Sequence, residues 1–304
     1  MEFDTFVAVD WSAASAPTRG RDSIWIAWMS VDGWQPSFPP SENPPTRARA
    51  TRELHGFLVD AVAAGRRVVV ATDFPHGYPS GTAAALGLGD LAWQQMWRLV
   101  DDLLDDGHDN RNDRSDVAAQ LNARIAPGVA GPFWGHQSSA VPRPAALPRT
   151  KKGVVDYPVA GIGEWRLVVQ RLCARGWRPM SVWQLAFRPV GGQALTGIPR
   201  LRSLRHAPGL AEVSVVWPFE TGFADDIPED GPLVVHAEMW PRLVEDSYEP
   251  DTVLDRAQVR AVVGWLRRHH DAGRLHDLFT APDDLAPGDL DAVVTEEGWI
   301  LGAT

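Results

Sequence analysis

The 304-residue chain predicts an α/β or α+β fold on three observations. Short apolar runs rich in Val and Ile alternate with longer stretches whose apolar residues recur at helical spacing. Gly and Pro punctuate the boundaries between them. The predicted order is two strands, a helix, a strand, a helical insertion, then further strands and a late helix. That order fits neither a four-helix bundle nor a sandwich.

"FVAVD" (6–10) and "SIWIAWMS" (23–30) predict two strands, joined as a hairpin by a long polar loop with Pro17 and Gly20. "PSFPPSENPP" (36–45) cannot continue a central strand, because proline has no amide to donate to a ladder. From Thr46, residues Leu54, Phe57, Leu58, Ala61 and Val62 fall on one helical stripe that ends at Gly65. "RRVVVATDFP" (66–75) predicts a buried strand that Pro75 stops. Residues 77–160 hold a helix at 91–106, another near 113–125 and a tract rich in Pro, Gly, His and Trp. They are expected as an insertion or lid against the sheet, within a single domain over 1–304. A helix over 163–176, strands over 181–187, 212–219 and 233–240, and a helix over 254–270 complete the series.

Apolar residues make up 44% and charged residues 22%, the balance of a globular chain with a sizeable core. The net charge of −10 argues against a broad surface for duplex DNA, which needs Lys and Arg on phosphates. A small phosphorylated molecule or a single-stranded nucleic acid is the compatible partner. The single cysteine, Cys173, cannot form an intramolecular disulfide or a CxxC metal site. No leader pattern and no apolar run of about 18 residues is present, so a cytoplasmic chain without a membrane partner is expected. P-loop, G-x-S-x-G, H-E-x-x-H and strand-linked G-x-G-x-x-G motifs are absent.

The acids carry the chemistry. Asp10 in "VAVD", Asp73 in "VVVATD" and Glu238 in "VVHAE" each close a predicted strand. Desolvating a carboxylate costs several kcal/mol unless it is paired or metal-bound, and the rim of an α/β sheet is where ligand clefts form. The competing account gives each acid to a turn or an arginine. Asp251 and Asp255 are spaced to share one face of the late helix, although acids there also complement its dipole. Glu220, in "WPFETG", would join the cluster or pair with an arginine. Carboxylates without Cys or a His pair select a hard cation, Mg²⁺ or Mn²⁺, which in phosphoryl chemistry activates water and stabilises the leaving oxygen.

Other candidates surround them. In "TGIPRLRSLRH" (196–206), Arg202 and Arg205 would meet a phosphate from a basic turn, or that turn is merely solvated. His76, shortly after Asp73, is a general base or substrate contact, or a packed turn residue. Ser12 and Glu220 are counted with the substrate-binding candidates. "GPFWGHQSS" (131–139) would stack a base on Phe133 or Trp134, with His136 beside them, or anchor the lid.

"VDWSAAS", "DSIWIA", "ATDFPHGYP", "GIPRLRSLR", "WPFETG", "HAEMWP" and "EEGWILG" together resemble a family of uncharacterised bacterial proteins with a ribonuclease H-like domain. Some of its members bear molybdopterin guanine dinucleotide or cobalamin biosynthesis labels. The resemblance covers most of the chain. It implies a ribonuclease H-like mixed sheet flanked by helices, with the helical insertion, and a metal held by Asp10, Asp73 and Asp255, with Glu238 as a further catalytic acid. "RAQVR", after Asp255, holds no second acid, which favours one metal over two. The function implied is a divalent-metal-dependent hydrolase of a phosphodiester or related phosphoryl compound. Such a fold also hosts actin-like phosphotransferases and non-catalytic scaffolds. The former predict a glycine-rich loop after the first strand, which "DWSAASAP" lacks; the latter predict acids paired with arginines and no metal.

Overall fold

Among the described residues the chain supplies β1 (Thr5–Asp10), β2 (Trp25–Ser30), β3 (Arg67–Asp73), β4 (Ser214–Val216) and β5 (Leu233–Glu238) to one sheet. Its order is β2-β1-β3-β5-β4 in this computed structural model, which describes residues 2–136, 146–187, 189–224 and 226–304. The β1–β2 hairpin is antiparallel, and every other pairing is parallel. β3 is Val-rich and buried on both faces, as a central parallel strand must be.

Alternation along the strands sends residues to two apolar layers. Val7, Val9, Val68 and Val70 face a layer built with Leu54, Phe57 and Leu58 of helix α1 (Arg47–Ala63). Phe6, Ala8, Val69, Ala71 and Val235 face the opposite layer, where Val259, Val262 and Leu266 of a late helix pack. α1 starts where expected, with the Thr46 hydroxyl accepting from the Arg49 amide at 3.2 Å.

The insertion folds into α2 (Thr82–Ala85), α3 (Ala92–Leu103) and α4 (Arg114–Ile125). Trp93 and Trp97 of α3 and Val117 and Leu121 of α4 share the apolar layer of α1. α5 (Leu167–Ala174) is shorter than its sequence pattern. α6 (Val190–Arg205) packs Leu195, Ile198, Leu201 and Leu204 against the same layer. α7 (Leu254–Asp271) covers the other face, and α8 (Pro287–Ala292) leads into a π-helical turn, Val293–Glu297. No helix among the described residues is long and apolar enough to cross a membrane.

Three expectations are corrected. Residues 181–187 are turns with one bridge, Trp134 to Gln184, because Trp183 satisfies its apolar surface against Tyr78 and Phe133 instead of a sheet. The strand over 212–219 shrinks to Ser214–Val216, with Pro218 two residues on. The basic turn over 196–206 is the second half of α6, which runs through Pro199 because its buried stripe outweighs the lost backbone bond.

The C-terminal segment clasps the insertion. Glu296 accepts from the amides of Gly81 (2.8 Å) and Ala83 (2.6 Å), and Glu297 from those of Ser80 (2.7 Å) and Leu167 (2.5 Å). Gly77 lies so close that a Cβ there would overlap the carbonyl oxygens of both glutamates. Neither partner is a side chain that can swing away. Gly77→Ala is therefore expected to destabilise the fold by about 2–3 kcal/mol, read as a lower urea midpoint; an unchanged midpoint would contradict the clasp.

Candidate functional site

The parallel pairing of β1 with β3 places Asp10 directly opposite Asp73. Both carboxylates therefore leave the sheet at one level, on adjacent strand ends. Asp10 is only 7% exposed and Asp73 is half-buried. Among the described residues neither carboxylate accepts a hydrogen bond or forms an ion pair, which sets them apart from the other strand-end acid. Burial, then the charges of Asp73, Asp255 and Asp22, push the Asp10 carboxyl well above its ordinary value. Burial, then Glu238 and Asp255, push Asp73 up to about 7. Two such groups side by side demand a shared proton or a cation.

Asp255 comes from the first turn of α7 and belongs to the same electrostatic neighbourhood. Its carboxylate accepts from the Asp22 amide at 2.7 Å, so it also fastens the β1–β2 loop to α7. Burial raises its pKa, while the loop amides oppose that rise. Asp251 does not share a helical face with it: α7 begins at Leu254, and Asp251 pairs with Arg256 at 2.6 Å. Tyr248 lies nearby, and burial, with Asp73's charge adding, pushes its phenol up to about 12.

Glu238 takes a different part. Its carboxylate is paired with the buried guanidinium of Arg166 and accepts from the His76 amide at 2.9 Å. Arg166 also donates to the Glu297 carbonyl at 2.8 Å. Glu238 is thus already neutralised inside the protein, the structural alternative for this acid.

Several expected substrate contacts are also engaged elsewhere. Arg202 pairs with Asp101 at 2.6 Å, and Arg205 grips Glu220 with two bonds of 2.9 Å. Glu220 accepts from the Val216 amide as well, so it stays outside the Asp10 cluster. His76 is wholly buried between Phe74 and Trp97, with its ring bonded to the Thr72 hydroxyl at 2.7 Å. Burial holds its pKa well below the usual imidazole range, so it is a neutral packed residue and no solvent-facing base. Ser12 closes its own loop, donating to the Asp22 carbonyl at 3.1 Å. Phe133 is fully buried against Tyr78 and Trp183 and offers no stacking face; His136 is buried too, and 137–139 lie outside the described residues.

The residues that shape the site without a sequence signal are arginines. Arg47, fully buried at the start of α1, binds Asp106 and donates to the carbonyls of Ser12 (3.0 Å) and Ala14 (2.8 Å). It thereby fixes the loop that follows Asp10. Arg114 reaches the same loop through Ser15 Oγ at 2.9 Å.

Compared with protein-family models, curated proteins and solved structures, the chain matches none.

Two outcomes follow. Between about pH 4 and 7 the unfolded chain releases the Asp73 proton while the folded chain keeps it, so stability falls as pH rises through that window. With chelator at pH 8, Asp73→Asn should exceed the wild type in stability by about 2–4 kcal/mol, and urea unfolding at pH 4 and 8 tests this. Arg166→Met strands a buried carboxylate and should cost about 3–5 kcal/mol; a calorimetric melt close to wild type would refute that role.

Proposed function

We propose that the chain is a divalent-metal-dependent hydrolase of a phosphodiester or related phosphoryl compound, built on a ribonuclease H-like sheet. The hairpin that begins the sheet, the acid closing its first strand, the second acid on the parallel strand beside it and the acid of the late helix support that fold reading. One observation carries the function. Asp10, buried, and Asp73, half-buried and in register with it, have no donor and no counter-ion among the described residues.

The residues fit one kind of metal. Among the described residues no three His, Cys, Asp or Glu side chains converge as a ready-made metal cage. Mg²⁺ and its close analogue Mn²⁺ accept one or two carboxylates while keeping several waters. Asp10 and Asp73 would hold the ion, and Asp255 would act chiefly by holding the loop and adding negative charge. When bound, the ion supplies Lewis-acid activation of water and of the phosphoryl oxygen. The protein's own contribution is position: parallel strand ends set the two carboxylates, and Arg47 sets the loop after Asp10. The net charge of −10 favours a small phosphorylated substrate or a single strand over duplex DNA.

The scaffold alternative expects arginine-paired acids. Glu238, Glu220 and Asp251 meet that description, but Asp10 and Asp73 do not. The phosphotransferase alternative lacks its glycines between Asp10 and Ser15.

Calorimetric titration of Mn²⁺ and Mg²⁺ tests the proposal. Binding by the wild type should weaken at least about tenfold in both Asp10→Asn and Asp73→Asn, and Mn²⁺-dependent cleavage of bis(p-nitrophenyl) phosphate should fall with it. A wild type that binds neither ion would overturn it.

A further inference from the structure

Arginines shielded from solvent in this structure are matched. Arg47, Arg66, Arg166, Arg171, Arg200, Arg202, Arg205, Arg256 and Arg267 each meet a carboxylate, and Arg67 meets three backbone carbonyls. Arg114 differs from both cases: it is half-buried, meets no carboxylate among the described residues, and bonds through Nη1 alone, to Ser15 Oγ at 2.9 Å and Asn112 Oδ1 at 2.7 Å.

Arg47 and Arg200 share the carboxylate of Asp106, and Arg47 also holds the carbonyls of Ser12 and Ala14 in the loop that Arg114 reaches through Ser15. The first turn of α6 presses on Arg114 from another side, where a Cβ on Gly192 would come within 3.2 Å of Nε. Nε and Nη2 have no acceptor among the described residues, and the exposed Ser15 leaves that side open to solvent. A guanidinium with two nitrogens free of any acceptor offers an anion a place to bind, and its fork suits a tetrahedral oxyanion.

We propose that Arg114, with Ser15, binds a phosphate group of the substrate, replacing Arg202 and Arg205 in that part. Ser15 belongs to the loop that follows Asp10 at the end of β1. The identity of the anion as substrate rests on the hydrolase reading; the binding itself does not.

The test is titration with inorganic phosphate, and separately with the 5′-phosphorylated dinucleotide pdTpdT, both in EDTA. Wild type should bind both, and Arg114→Gln should lose at least about tenfold in affinity. Arg114→Lys, which retains the charge, should fall between them. Arg124→Gln, an exposed arginine on the same helix, should match wild type. Equal affinity in wild type and Arg114→Gln, or no binding by the wild type, would overturn the site. Because EDTA removes metal, phosphate binding without Mn²⁺ binding would retain the anion site and reject the hydrolase; the reverse result would do the opposite.

Discussion

The buried pairing of Arg166 with Glu238 is the interaction on which the rest of this structure leans. Two opposite charges removed from water are costly unless each is saturated with partners, and here both nearly are. Glu238 ends β5, accepts the amide that follows β3, and receives the guanidinium; Arg166 continues to the carbonyl of Glu297. Glu297 in turn holds the amides of Ser80 and Leu167. The His76 carbonyl accepts from the indole of Trp97 at 2.7 Å. Sheet, insertion, α5 and C-terminal segment thus meet at one hydrogen-bonded knot around the Arg166–Glu238 pair.

That knot sharpens the contrast with Asp10 and Asp73. Within a single sheet edge, one acid is neutralised by a partner brought from far away, and two are left facing each other. The loop beyond Asp10 has no freedom to relieve them, because Arg47 grips its carbonyls and Asp255 grips the Asp22 amide. Geometry held this firmly before any ligand arrives is what a catalytic or binding site requires.

The early elements and α7 were legible because their patterns are local. Short apolar runs and period-3.6 spacing placed β1, β2, α1, β3 and α7 close to their observed limits. Residues 181–187 misled because an apolar run marks burial and not a sheet partner, and Trp183 finds its burial inside the insertion. α6 was obscured by Pro199 and its glycines, which weaken helical propensity while its apolar stripe remains. Asp10 and Asp73 were visible as strand-end acids. The partners that distinguish Glu238 from them were not: Arg166 lies 72 residues before it in the chain, and Arg47 lies 59 from Asp106. Nothing in an arginine's immediate neighbours declares which distant carboxylate it will meet.

The C-terminal clasp has a consequence for the order in which the chain can assemble. The hairpin and β3 need only the first 73 residues, and contacts over short separations carry less loop-closure entropy. The bond from Ser80 to Glu297 spans 217 residues, and that from Arg166 to Glu297 spans 131. The strands that set the two facing carboxylates are close neighbours in sequence, whereas the locking segment, Val293–Glu297, reaches their surroundings only through contacts of long separation, the kind that loop-closure entropy makes slow to form.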